Sequence, residues 1–121
     1  MMSRTTGAVI AAVMLALAGG LISAGTALGA DDPLAKGQQL AFDRKKGNCL
    51  ACHMIAGGDL AGNLGPPLVA MKARYPDKAA LRAQIWDSTV SNPRTTMPPF
   101  GKHGILNDEE IDLVTEYIYT L

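Results

Sequence analysis

Cys49-Leu50-Ala51-Cys52-His53 holds the only two cysteines of a 121-residue chain, two residues apart and followed at once by a histidine. A C-x-x-C-H run is the attachment signature of a c-type haem. Two thioether bonds at Cys49 and Cys52 anchor one edge of the porphyrin, and His53 then reaches the iron. The rival uses of a cysteine pair fit poorly. A dithiol redox motif sits in a βαβ setting, and nothing before Cys49 reads as a strand. A zinc site needs four ligands, and the chain has two cysteines and two histidines with His103 far from any partner spacing. A disulfide across two residues closes almost no loop and stabilises little.

Outward from the motif, residues 1–30 pose a separate problem. Arg4 is followed by Gly7 to Ala30 without a charge, rich in glycine and alanine, with Ala27-Leu28-Gly29 as a small-x-small cleavage site. This reads as a secretory signal peptide. The same stretch is long enough to be an uncleaved anchor, but Gly19-Gly20 and the following Asp31-Asp32 favour cleavage, which leaves no stable membrane span. Residues 31–121 then form one small domain outside the cytoplasm, in the periplasm of a bacterium. That domain has ten basic and eleven acidic residues, a balance that excludes nucleic-acid binding. A domain of this size buries little surface alone, and it has six aromatics: Phe42, Tyr75, Trp86, Phe100, Tyr117 and Tyr119. A buried porphyrin supplies the missing apolar area.

The rest of the chain reads as helices and loops, an all-α domain. Pro33 to Lys46 is a predicted helix, with proline in its first turn and the basic run Arg44-Lys45-Lys46 before Gly47. That run is a solvated helix end or a docking patch. Ala56 to Gly65 is loop, followed by Gly65-Pro66-Pro67-Leu68 and a short helical segment around Leu68 to Ala73. Asp77 to Thr89 is a second helix, with Leu81, Ile85 and Ser88 or Thr89 on one side. Pro93, Pro98, Pro99 and Gly101 break the stretch that follows. Asn107-Asp108-Glu109-Glu110 opens the last helix with a capping-box pattern, and Ile111, Val114, Ile118 and Leu121 form its apolar stripe.

The second axial position has several claimants. Met54 adjoins His53 and cannot cross the porphyrin plane. Met71 lies among apolar residues and reads as core filler. Met97 lies 44 residues beyond His53 in a proline-stiffened loop; His103 is the weaker alternative. His53/Met97 ligation leaves no vacant site and describes an electron carrier with a raised potential, so no catalytic residue is assigned. Pro66 is either a simple turn former or the carbonyl that orients the axial imidazole. Lys102 and His103 are either ordinary loop solvation or a partner-facing edge.

Together the short helix, C-x-x-C-H, G-P-x-L turn, methionine loop and terminal helix resemble the class I cytochrome c family. That resemblance implies an all-α fold packed around one covalently attached haem c, a crossing of first and last helices at Gly37 and Tyr117, and a Pro66 carbonyl accepting from His53. A narrower resemblance rests on Gly47 to His53, Gly65-Pro66-Pro67-Leu68, Ala83-Gln84-Ile85-Trp86-Asp87 and Met97-Pro98-Pro99-Phe100-Gly101-Lys102-His103-Gly104-Ile105-Leu106. These runs are similar to the SoxX family, the mono-haem subunits of SoxAX complexes. The resemblance implies a SoxA-type haem subunit as partner, a SoxY-type carrier protein whose cysteine is coupled to thiosulfate, and a downstream cytochrome c. Because both cysteines belong to the haem motif, contact with such a partner is non-covalent. The alternatives are a freestanding cytochrome c shuttle in respiration, or a haem enzyme or sensor with a labile sixth ligand.

Overall fold

The computed structural model describes residues 32–121; the expected signal segment, residues 1–30, lies outside them. Four helices carry the domain: α1 (Pro33–Phe42), α2 (Met71–Arg74), α3 (Lys78–Trp86) and α4 (Asp108–Tyr119), with a short 3₁₀ turn at Cys49–Ala51. No strand occurs among the described residues, as the all-α reading expects.

Helices α1, α3 and α4 each begin where a side chain takes an orphan backbone N–H. The Asp32 carboxylate accepts from Leu34 N–H at 3.1 Å, and Asp77 accepts from Ala79 N–H at 2.9 Å. Asn107 and Glu110 form the expected capping box, with bonds of 2.9 and 3.0 Å.

Two of the helices end earlier than the sequence suggests. The first stops at Phe42, because Asp43 leaves the helical conformation and its carboxylate takes the Lys45 N–H at 2.8 Å. The Gly47 N–H then returns to the Leu40 carbonyl at 3.0 Å. The third stops at Trp86 because Asp87 turns out of the helix and its side chain takes the Thr89 N–H at 3.1 Å. In both places a short acidic side chain competes with the helix for backbone groups. Helix α2 starts three residues later than expected, after Ala70 in the left-handed region at φ 51°.

The crossing of α1 over α4 organises the core. A Cβ on Gly37 would lie 2.1 Å from the Leu113 carbonyl oxygen, so only glycine permits this approach. Phe42 meets Tyr117 edge-to-face at 6.1 Å. Ala41, Ile111, Val114, Tyr117 and Ile118 are buried around this crossing. Helix α3 is tied to α4 by Arg82, which bonds Asp112 at 2.5 Å and Asp108 at 3.2 Å, and by Lys78 to Glu116. The Met71 N–H donates to the Leu121 carbonyl at 2.9 Å, fixing α2 against the chain end.

Candidate haem-binding site

The C-x-x-C-H run is shaped locally. Asn48 takes a left-handed φ of 47°, and the Cys49 carbonyl then accepts from Cys52 N–H at 3.2 Å and His53 N–H at 2.9 Å. This tight turn presents Cys49, Cys52 and His53 to one cavity of about 800 Å³. Burial pushes the Cys49 thiol up to about 11, with Cys52 adding to the rise and a backbone hydrogen bond opposing it. A reactive dithiol needs the opposite, a thiol lowered toward neutrality. The Cys49 thiol is therefore not primed for exchange.

His53 is held from two sides. Its Nδ1 lies 2.7 Å from the Pro66 carbonyl oxygen. A carbonyl only accepts, so Nδ1 carries the proton and Nε2 keeps its lone pair for a metal. Gly65 packs so closely that a Cβ there would lie 2.3 Å from Cε1 of the imidazole. The turn is itself anchored: Gly65 N–H donates to the Cys52 carbonyl at 2.8 Å, and the Arg74 guanidinium donates to the Pro67 carbonyl at 2.9 Å.

Across the sequence, Met97 is half-buried and lines the same cavity. Its N–H donates to the Thr95 hydroxyl at 3.1 Å, and its carbonyl accepts from the Ser88 hydroxyl at 2.7 Å. Met71 also borders the cavity but is buried at 2% exposure, with the Arg74 guanidinium 3.4 Å from its sulfur. It packs as the core filler expected of it. Met54 is exposed and His103 lies in an exposed turn; neither is part of the cavity lining.

The cavity fits a haem. Its inner wall is apolar, formed by buried Ile85, Phe100, Leu106, Val114 and Ile118, and its volume falls within the range of cofactor sites. Arg44, Lys45, Lys46, Arg74 and Arg94 line it, and no carboxylate does. That charge suits a macrocycle bearing two carboxylates. An imidazole with a free Nε2, two thiols and a thioether form a donor set suited to haem iron and its porphyrin.

Sequence reading missed two side chains here. Arg74 holds the proline turn, and Ser88, taken only as a position on a helix face, instead bonds the Met97 carbonyl. The run Asp87-Ser88-Thr89 was the available signal, since all three types favour side-chain-to-backbone bonds over helix continuation. Lys102, read as loop solvation or partner edge, pairs with Asp87 at 2.8 Å. Within the basic run, Lys46 bonds Glu110 at 2.7 Å.

Residues 32–118 match the family described as cytochrome c oxidase, cbb3-type, subunit III. The chain belongs to this family of cytochrome c domains. It is a class I cytochrome c of SoxX-like kind, an electron-transfer domain for haem c. A chain in the crystal structure of SoxXA from P. pantotrophus superposes with a TM-score of 0.64 at 26% identity, covering 71% of this chain and 79% of that one. A protein of Aquifex aeolicus (strain VF5) named as an uncharacterized lipoprotein is 37% identical over 79 residues, 62% of this chain. The chain spans little more than a third of that relative's length, 37%. Among the described residues of this cytochrome, no helix is long and apolar enough to cross a membrane.

Proposed function

We propose that this cytochrome is the periplasmic mono-haem electron-transfer subunit of a SoxAX-type complex. The observation that carries the reading is the superposition on a chain of SoxXA over most of both lengths. The partner is a SoxA-type haem subunit, and residues 1–30 serve as the export signal.

Cys49 and Cys52 would hold one haem through thioether bonds, and His53 and Met97 would ligate its iron. When bound, that haem supplies one-electron oxidation and reduction between ferric and ferrous iron. The protein's own part is to hold and to exclude. The Pro66 carbonyl keeps the His53 Nδ1 proton in place, so the Nε2 lone pair would remain available to the iron. The apolar wall from Ile85 to Ile118 keeps water from the inner face, and a soft thioether raises the potential relative to a second imidazole. With His53 and Met97 both ligating the iron, the group would carry electrons and would offer no open position to a substrate. Thiosulfate is coupled to a cysteine of a SoxY-type carrier on the partner subunit, and the two electrons released leave through this subunit, one at a time, to a downstream cytochrome c.

A second reading is a freestanding electron shuttle in respiration; the family description, which names an oxidase subunit, favours only its respiratory part. Purification of the tagged holoprotein from its host separates the two. A larger haem-bearing subunit co-eluting in equal amount is expected. Recovery of a monomer alone, with full electron transfer to a terminal oxidase, contradicts the proposal.

A further inference from the structure

Met97 sits in no regular element. Residues 87–107 between α3 and α4 are turns, bends and coil, so the loop needs an external hold. The end of α3 provides it through three consecutive residues. The Trp86 carbonyl accepts from Gly101 N–H at 3.1 Å and Lys102 N–H at 3.2 Å. The Asp87 carboxylate accepts from the Lys102 ammonium at 2.8 Å and from the Thr89 N–H and hydroxyl. Lys102 first, then the Thr89 hydroxyl, holds the Asp87 carboxyl below the usual carboxylate range, so this carboxylate is ionised at neutral pH. Ser88 is fully buried, and its hydroxyl donates to the Met97 carbonyl at 2.7 Å. The helix that ends at Trp86 and leads into Asp87 and Ser88 is itself pinned to α4 by Arg82.

We propose that Ser88 is a positioning residue for Met97: its hydroxyl fixes the Met97 carbonyl so that the thioether stays at the cavity wall, and Asp87–Lys102 is the outer half of the same clamp. This rests on the reading of Met97 as iron ligand. The physical argument is one of local opening. A half-buried carbonyl that loses its donor is left unsatisfied until water takes the donor's place. Here it reaches water by the loop swinging outward, which withdraws the sulfur while the helices stay folded. Pro98 and Pro99 transmit the motion, because a stiff segment held at 101–102 moves as a unit.

The test uses oxidised holoprotein with imidazole as the probe, following loss of the far-red iron–thioether band as imidazole displaces the sulfur. Ser88→Ala is expected to accelerate displacement on the order of tenfold. Lys102→Gln, altering a half-exposed side chain, is expected to accelerate it about two- to threefold. Asp32→Ala removes the cap of α1, far from the loop, and lowers overall stability without changing the rate. The proposal is overturned if Ser88→Ala displaces no faster than wild type, or if Asp32→Ala accelerates displacement as much. Should Ser88→Ala fail to fold, Lys102→Gln decides: acceleration supports the clamp and an unchanged rate overturns it. A far-red band that persists in Met97→Ala is a different failure, of the ligand assignment and not of the clamp.

Discussion

The two walls of the haem cavity are built by different means. The His53 wall is local: within residues 48–68 the chain closes on itself through backbone bonds, Gly62 N–H to the Leu50 carbonyl at 2.7 Å, Gly65 N–H to Cys52 at 2.8 Å and Leu68 N–H to Met54 at 2.9 Å. The Met97 wall hangs from another element, held by side chains and carbonyls at the end of α3. A ligand fixed by its own backbone neighbourhood is present or absent. A ligand suspended from side chains can be loosened by degrees. Substitutions on the first wall should therefore abolish the site, and those on the second should tune it.

The largest effect is expected from His53→Ala, which leaves Pro66 without its donor and removes the proposed iron ligand. Covalent haem staining after denaturing electrophoresis should fall at least about tenfold, in line with losses seen when metal ligation is disturbed. Haem retained at wild-type level would erase the contrast between the walls. Met97→Ala should keep the haem and lower the reduction potential by on the order of 0.1 V, a fraction of the roughly 0.8 V that axial ligands span. An unchanged potential in a redox titration would remove Met97 from the iron.

Gly65→Ala probes the tighter wall by steric pressure. The added Cβ meets the imidazole at 2.3 Å, and His53 cannot turn aside without leaving Pro66. A loss of about 1–3 kcal/mol in denaturant unfolding is expected, whereas a variant as stable as wild type would show the turn to be pliable. The smallest effect lies outside the cavity, at Glu110, whose carboxyl is held below the ordinary carboxylate range by Lys46 and then by the Asn107 N–H. A lowered carboxyl contributes stability above its unfolded value, roughly 4.3, and that contribution is lost as pH falls through the lower folded value. Glu110→Gln should therefore cost at most about 1 kcal/mol at neutral pH, since Lys46 is 40% exposed. The difference from wild type should vanish in acid. A difference that grows as pH falls would reverse the sign.

The same contrast explains what the sequence made legible. The His53 wall was readable because C-x-x-C-H and G-P-x-L act over short separations, where residue type nearly dictates backbone. Gly37 and Tyr117 were readable through resemblance, and the crossing they form follows from the close approach that only glycine allows. The capping box of α4 was readable because its two residues sit three apart on one turn. Ser88 was not. Its partner is nine residues away in an irregular loop, and nothing in a serine at a helix end names the carbonyl it will meet. Arg74 was hidden for the same reason, its bond to Pro67 depending on where a four-residue helix happens to stop. The premature ends of α1 and α3 show the limit from the other side. The basic run Arg44-Lys45-Lys46 suggests a helix past Phe42, and Ser88 or Thr89 on one face suggests one past Trp86, but Asp43 and Asp87 divert the backbone to their own side chains.

His53 and Met97 line one cavity, and the central proposal is that both ligate one iron there. The most direct test is the far-red iron–thioether charge-transfer band of the oxidised holoprotein, recorded for wild type and Met97→Ala side by side. The band should be present in wild type and gone in the variant, with covalently bound haem equal in both. A band of equal strength in Met97→Ala, or none in wild type, would contradict the assignment and with it the reading of this domain as a His/Met electron carrier.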